Sequence, residues 1–234
     1  MKSNLPVSEK TRTEAAGAAI ASAIMSGSLL PGHKLRIREL SEEFGFGPTP
    51  IREALAGLVS RGLVEAEGQK GFRVAPVSRE DLNDLMAART IVETGALRLA
   101  IANGDADWEA GIVSALHRIK HFCEHRPTDT DAATTQFEKV NSDFHDALVA
   151  ACGSSRLIAM QRNLFEQTRR YRSIMSIKRS PRARMGEYDA HKELADLALA
   201  RKADAACDAL AQHNRITLQL LFGAEGPLKL KKPD

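Results

Sequence analysis

The 234-residue sequence has few aromatic residues, few cysteines and no long apolar run, and each shortage excludes a class of protein. Phe, Trp and Tyr make up only 5% of the residues, whereas Ala and Leu are abundant, which favours helices packed on helices. The three cysteines have no CxxC spacing, so they indicate neither a disulfide framework nor a thiolate metal site. Because no stretch is apolar enough to span a bilayer or to act as a signal peptide, the sequence predicts a cytoplasmic protein without a membrane partner.

Charge alone does not identify a partner. The net charge is +3, which is too small to indicate nucleic-acid binding, so that function must be argued from a motif. The stretch with the most uneven charge, residues 156–184, holds nine Arg or Lys residues and one acidic residue, Glu166. The favoured interpretation is a solvated helix face, and the alternative is a surface that attracts anions.

Residues 9–76 have the order of elements of a winged helix-turn-helix. Helical spacing predicts helices over Glu9–Gly27, Ile37–Phe44 and about Pro50–Arg61, with glycines at or after their ends. Two short extended segments, "LVEA" and "FRVA", follow and are separated by "EGQKG", whose glycines suit a hairpin tip. We therefore predict a DNA-binding domain over this range.

The rest of the chain is predicted to be helical. Residues 77–222 are predicted to form an all-helical bundle for effector binding and dimerisation, and residues 223–234 are predicted to be a disordered tail. The predicted fold class is mainly α, with an N-terminal winged helix followed by an all-α bundle. Its helices are expected near 79–102, 106–126, 134–151, 155–178, 182–201 and 203–222.

The stretch "GPTPIREAL" marks the start of the third helix. Thr49 is predicted to cap this helix through its hydroxyl, with Pro50 at the first helical position. Arg52 then projects away from the apolar face, close to the end that enters a DNA major groove, and arginine is shaped to bind guanine. The alternative is an ordinary solvated helix on which Arg52 pairs with Glu53 or Glu42.

Residues 26–76 resemble the winged helix of GntR-family bacterial transcription regulators. The resemblance rests on "GSLLPGHKLRIRELSEEFGFGPTPIREALAGLVSRGLVEAEGQKGFRVAP". It implies that Arg38 and Arg52 touch bases or phosphates of double-stranded DNA. Helical spacing puts Thr49 on the same exposed side of the third helix as Arg52. Many members have Ser-Arg where this chain has Gly47-Pro48, so one base-reading arginine is absent and the family's operator sequence does not transfer.

The resemblance extends to the wing of that domain. It implies that the wing tip, formed by Gln69, Lys70 and Gly71, lies along the minor groove or the DNA backbone.

The helical part resembles the FCD effector domain of the FadR subgroup over about residues 80–222. The similar stretches are "VNSDFHDALVAACGSSRL" and "EYDAHKELADLALARKADAACDALAQHNRIT". In those domains an Asp-x3-His pair and two further histidines bind a divalent metal, which helps to hold a small carboxylate effector. The matching positions are Asn141, His145, His191 and His213, and their donor atoms suit zinc or nickel.

Asn141 stands where the family has an aspartate, so this site has one negative charge fewer. The substitution is expected to weaken metal affinity, and Glu138, two turns before His145, is a candidate to compensate in part. The alternative is a metal-free pocket, or three histidines that are simply hydrogen-bonded at the edge of the core.

A second histidine pattern lies on one predicted helix. His117, His121 and His125 have H-x3-H-x3-H spacing, which suits a metal by itself. The apolar residues of that helix centre on its opposite side, so the stripe is expected to face solvent.

Arg89 corresponds to an arginine that reaches the effector carboxylate in related domains. A buried arginine can hold a carboxylate by two parallel hydrogen bonds. An internal ion pair with Glu93, one turn later, is an equally simple interpretation. Both residues are therefore candidates for the effector site.

Together these patterns predict a ligand-responsive transcription regulator rather than an enzyme. It is expected to form a homodimer on a palindromic operator and to sense a small organic acid. One alternative is a helical metal-dependent hydrolase with a His/Asn metal site, although no HExxH, nucleophile elbow or carboxylate pair accompanies the histidines. A second alternative is a winged helix that contacts only proteins.

Overall fold

The structure is a computed structural model that describes residues 9–68, 71–127, 130–174 and 181–222. Helices dominate these residues, and a small three-stranded sheet lies near the N-terminus, so the predicted fold class is confirmed. The chain divides into two compact units, with the change between them after Ser78. Within the described ranges no helix is both long and apolar enough to cross a membrane.

The first unit is a winged helix-turn-helix. Its elements are α1 Glu9–Ser26, β1 Lys34–Leu35, α2 Ile37–Phe44, α3 Pro48–Ser60, β2 Val64–Ala66 and β3 Phe72–Val74. The strands pair antiparallel in the order β1-β3-β2, with Leu35 opposite Phe72 and Val64 opposite Val74. The predicted hairpin is β2 and β3, and the extended piece before the second helix adds β1 as a third strand.

The start of α3 differs from the prediction, and the expected Thr49 cap is wrong. The helix begins at Pro48 and its N-cap is Gly47, which forms no side-chain cap hydrogen bond. The N–H of Ile51 donates to the Gly47 carbonyl at 3.2 Å, which closes the first turn. Because proline has a helical φ and no N–H to satisfy, either Pro48 or Pro50 suits an N-terminal position. Pro48 comes first, so Thr49 already lies inside the helix.

The apolar face of α3 fills the centre of this unit, as the sequence predicts. Ile51, Leu55 and Leu58 are essentially inaccessible to solvent and pack with Ile20 and Ile24 of α1. Apolar residues one turn apart lie on one side of a helix, so their burial leaves the other side of α3 in solvent.

The second unit is a bundle of helices around a separate core. The helices are α4 Arg79–Asn103, α5 Ala106–Glu124, α6 Thr130–Val149, α7 Ser155–Ile174, α8 Pro181–Leu199 and α9 Ala203–Phe222. The main neighbours are α4 with α9 and α5 with α6. Trp108, in the first turn of α5, is buried in this core, and its indole N–H donates to the Leu148 carbonyl at 3.2 Å, which ties α5 to α6.

Candidate functional site

The exposed side of α3 carries the residues predicted to contact DNA. Thr49 and Arg52 are both exposed on its first two turns. Glu53 accepts a hydrogen bond from the Thr13 hydroxyl at 2.8 Å, and Glu42 pairs with Arg38. Among the described residues Arg52 has no ion pair, so the alternative in which it pairs with Glu53 or Glu42 is not observed. Its guanidinium is available to another partner.

Arg38 and the wing lie on the same unit. The Arg38 side chain is 90% exposed, and its Nε is 3.0 Å from a Glu42 carboxylate oxygen one turn later. Such an exposed pair contributes little, so Arg38 can exchange it for a phosphate at small cost. Gly71, the last residue of the wing tip, has φ +99°, a conformation that favours glycine. Gln69 and Lys70 lie outside the described residues.

Three of the predicted metal-binding residues converge in the bundle. His145 of α6, His191 of α8 and His213 of α9 offer ligand atoms that all lie within 4.8 Å of one another. Their ring centroids are 4.6 to 5.9 Å apart. His145 and His191 are buried and His213 is half-buried. Since each histidine comes from a different helix, only the packing of the bundle brings them together.

Asn141 completes this histidine cluster. Its side-chain oxygen Oδ1 is 3.0 Å from Nε2 of His191. That distance suits a hydrogen bond, and it also suits two neighbouring ligands of one ion, which stand about 3.0–3.4 Å apart when each metal bond is about 2.1 Å. The contact therefore agrees with the alternative that these histidines are simply hydrogen-bonded. The same two atoms are also close enough together to ligate one metal ion.

His145 supplies the strongest indication that the cluster binds something. Its Nε2 is buried and has no hydrogen-bond partner among the described residues. Burial, and secondly the guanidinium of Arg89, holds the pKa of His145 well below its ordinary value, so the ring is neutral at physiological pH. A neutral imidazole with an unused nitrogen is the form that ligates a metal.

Glu138, the candidate to compensate in part for Asn141, is paired with Arg172. Its two carboxylate oxygens lie 2.8 and 2.6 Å from Nε and Nη2 of Arg172, a buried bidentate pair. An arginine fork matches a carboxylate in this way, so Glu138 is already committed to Arg172. The carboxylate of Glu93 also approaches the histidines, with one oxygen 3.8 Å from Nδ1 of His145.

Arg89 and Glu93 form an internal ion pair, which is one of the two interpretations that the sequence allowed. Arg89 Nε is 2.8 Å from a Glu93 oxygen, and both side chains are almost fully buried. Burial lowers the pKa of Arg89, whereas the carboxylate of Glu93 raises it. The second oxygen of Glu93 accepts a hydrogen bond from Asn214 at 3.0 Å. Asn214 was not predicted, although it directly follows His213 in the chain.

Both buried arginines lie against the ring of Phe165. The guanidinium carbons of Arg89 and Arg172 lie 4.5 and 4.9 Å from its ring centroid, and the ring of His145 is 5.2 Å away. The cluster thus holds two arginines and two glutamates beside the histidines, and the charges of these four side chains balance. A divalent cation would make it positive and attract an anion.

The interpretation of residues 156–184 as a solvated face is wrong for part of the stretch. Arg170 and Arg172 are 2% and 6% exposed, and Arg172 belongs to the cluster around Phe165. Arg162 is exposed and pairs with Asp146 at 2.9 Å, as expected for a solvated face. The structure does not describe the side chains of Lys178, Arg179, Arg182 and Arg184.

The stripe formed by His117, His121 and His125 faces solvent, as predicted. The rings of His121 and His125 stack with centroids 4.4 Å apart. These histidines lie on the side of α5 opposite its buried residues and take no part in the cluster.

A winged helix with an exposed arginine early in α3, joined to a helical bundle, defines the class of DNA-binding transcription regulators with a second, helical domain. The model described as "Bacterial regulatory proteins, gntR family" matches residues 12–74, and the model described as "FCD domain" matches residues 84–215. The chain belongs to the GntR family, in the group that carries an FCD domain.

Known relatives agree with this assignment. The chain is 37% identical over 190 residues to the HTH-type transcriptional regulator BphR of Paraburkholderia xenovorans, covering 81% of this chain and 77% of that protein. It is 34% identical over 194 residues to the HTH-type transcriptional repressor GlaR of Escherichia coli, covering 81% and 86%. The solved E. coli McbR/YncC has a TM-score of 0.73 at 22% identity over 92% and 97%, a likeness of fold alone. The relatives give no support to the hydrolase alternative.

The buried pair of Glu138 and Arg172 is expected to contribute strongly to stability. Glu138→Gln should lower the free energy of unfolding by about 3–5 kcal/mol, because Arg172 stays buried and loses the Glu138 carboxylate. Urea denaturation of the full chain measures this loss. The double variant Glu138→Met/Arg172→Met should recover most of it, and Asp196→Asn, in an exposed pair with Lys192, should cost no more than about 1 kcal/mol. If Glu138→Gln and Asp196→Asn lowered the free energy of unfolding by similar amounts, this account would be contradicted.

Proposed function

We propose that this regulator senses a small carboxylate at a metal bound in the α4–α9 bundle and, as a homodimer, changes its affinity for a palindromic operator. The observation that carries the proposal is the convergence of three histidines, one with an unpartnered buried nitrogen, beside the buried Arg89. Neutral ligand atoms that are buried next to the Arg89 guanidinium are suited to binding a metal ion together with an anion.

The metal would be held by His145, His191, His213 and the side-chain oxygen of Asn141. Imidazole nitrogens with one amide oxygen suit zinc or nickel. Since all four donors are neutral, the full positive charge of the ion remains to be balanced. Glu93, 3.8 Å from His145, balances part of it, and an effector carboxylate is the natural source of the rest.

Arg89 is the proposed anchor for that carboxylate, with Glu93 as the group that holds it in place. The guanidinium is buried and uses Nε for Glu93. Arginine has five N–H donors in a planar fork, so it can bind Glu93 and a ligand oxygen at once. When bound, the metal would supply positive charge that attracts and orients the carboxylate.

The DNA-binding residues of each subunit would be Arg38, Thr49 and Arg52, with the wing formed by Gln69, Lys70 and Gly71. Two-fold symmetry of a dimer requires two half-sites in inverted orientation. The effector would act by favouring one arrangement of the helices over another, which demands different affinity for the two arrangements. This function places the protein in the cytoplasm, where bacterial DNA lies.

Selection of bound DNA from a random pool tests the proposed function. We expect an enriched inverted repeat whose half-sites are separated by about 10 base pairs or a multiple of that spacing, because the recognition helices must face the same side of the duplex. The selection is repeated with added carboxylic acids, which should change the yield of the same sequence. Failure to enrich any inverted repeat under any condition would contradict the dimer on a palindromic operator.

Arg52→Ala is expected to weaken binding to the selected operator by about 1–3 kcal/mol, since one base-reading or phosphate contact is lost. Titration of a labelled operator at fixed salt measures the change. Arg156→Ala is the matched control, because it removes the same charge from an exposed position on α7. Equal affinities for the Arg52 variant and the control would argue that α3 does not read the DNA.

Metal content provides a separate test. Protein purified without a tag should contain about one equivalent of a divalent transition metal per chain, measured by elemental mass spectrometry. His213→Ala should remove it, whereas His121→Ala, on the exposed stripe of α5, should leave it in place. An unchanged metal content in the His213 variant would show that the ion lies elsewhere.

A further inference from the structure

The side of α4 that faces away from the bundle core is apolar at its centre. Ile91 is 73% exposed, more than any other large apolar side chain among the described residues, and Leu99, two turns later, is 43% exposed. At 100° per residue the members of this outer face point within about 60° of one direction. They are Asp84, Ala87, Ala88, Ile91, Gly95, Arg98, Leu99 and Ala102. Between Asp84 and Arg98 the outer face carries no charge, and an exposed apolar strip of this kind marks an interaction surface.

Gly95 lies in the middle of the outer face. A glycine destabilises the interior of a helix relative to alanine, so its presence there calls for a reason. A Cβ atom added to Gly95 would meet no atom within 4 Å, so packing within the described chain does not require glycine at this position. A missing side chain on an exposed helix face lets a second backbone approach closely, and Ala87, two turns before Gly95, also has only a small side chain.

The charges at the two ends of the strip have a simple symmetry. Asp84 and Arg98 each lie seven residues from Ile91, on opposite sides of it. If a second copy of α4 packs antiparallel about a two-fold axis at Ile91, Asp84 faces the partner's Arg98 twice, and Ala87 faces the partner's Gly95. In a parallel pair each of these charges would instead face its own copy. The outer face is therefore complementary to itself in the antiparallel arrangement alone.

Both charged residues are available for such a contact. Among the described residues Asp84 has no ion pair. Arg98 pairs with Asp204 of α9 at 2.7 Å, but both side chains are more than half exposed. An exposed pair of this kind contributes little, and the guanidinium has further N–H donors for a second carboxylate.

We propose that the outer face of α4 is the centre of the homodimer interface, in which two copies of α4 pack antiparallel about a two-fold axis at Ile91. This inference rests on the homodimer of the proposed function and specifies its geometry. The occupant is a second copy of this chain, because an unrelated partner gives no reason for charges placed symmetrically about one apolar residue. Helices that pack closely have axes about 8–10 Å apart, which suits a contact made of one isoleucine between small residues.

The interface gives α4 two opposite functional sides. Arg89 and Glu93, the candidate effector residues, lie on its buried side, and Ile91 lies between them in sequence on the outer side. A shift or rotation of α4 on effector binding therefore acts directly on the contact between the subunits.

The first test removes the apolar centre of the contact. In the full-length protein, Ile91→Glu should raise the dissociation constant of the dimer by about tenfold or more, because two carboxylates would face each other at the axis. Sedimentation equilibrium measures this constant. Val113→Glu is the matched control, since Val113 is an exposed apolar residue of α5, and it should leave the constant unchanged. Both side chains are largely exposed, so far-ultraviolet circular dichroism of both variants should match that of the parent.

The second test reads the direction and register of the two helices through disulfide formation. Ile91→Cys should form a disulfide-linked dimer under oxidised glutathione, because a residue on the axis lies within the roughly 7 Å between Cα atoms that a disulfide spans. Ala87→Cys should not, since each copy lies about 6 Å from the axis in opposite directions, about 12 Å from its equivalent. Val113→Cys and the parent chain, with its three native cysteines, give the background on a non-reducing gel.

The outcomes separate this inference from the proposed function. A dimer that Ile91→Glu does not weaken, or one in which Ala87→Cys crosslinks as well as Ile91→Cys, overturns the antiparallel α4 contact and leaves the homodimer intact. A parent chain that stays monomeric at every concentration, with and without operator DNA, contradicts the homodimer itself, and the α4 contact fails with it.

Discussion

The cost of taking charge out of water governs the bundle. Arg89 and Arg172 lie almost completely buried against one phenyl ring, and each is tolerable there only because a carboxylate accompanies it. Glu93 lies on the same helix as its partner, but Glu138 and Arg172 belong to different helices. The packing of α6 against α7 is therefore constrained by an ion pair that has one favourable geometry. Such an arrangement has one defined set of pairings, because an anion that entered it would have to displace or share the existing partners.

Asn141 changes the electrostatics of the histidine cluster relative to the aspartate expected from the family. The Asn141 amide brings no negative charge, so Glu93, 3.8 Å from His145, is a candidate to compensate a bound cation. Its other oxygen is held by Asn214, and its first by Arg89. One glutamate thereby connects the residues proposed for the metal with the residue proposed for the carboxylate. Occupancy of either position changes the electrostatic environment of the other.

The sequence predicts what periodicity and local spacing determine. The apolar face of α3 and the solvent-facing stripe of α5 follow from helical spacing, and the family resemblance selects the histidines that the bundle brings together. Contacts between distant residues do not follow from spacing. The pairing of Glu138 with Arg172 is not visible in the sequence because the two residues lie 34 positions apart on different helices, and the burial of Arg170 and Arg172 is not visible because composition does not show burial. The start of α3 was misplaced because local rules permit either proline at a helix beginning.

The two prolines at the start of α3 have a consequence for how this helix end treats phosphate. The amide hydrogens of a first turn normally make the positive end of a helix an anion-binding site. In this chain neither Pro48 nor Pro50 has an amide hydrogen, and the helix begins at Pro48. The main chain at this helix end therefore attracts the phosphates of DNA less strongly. The electrostatic attraction at this end depends instead on the side chains.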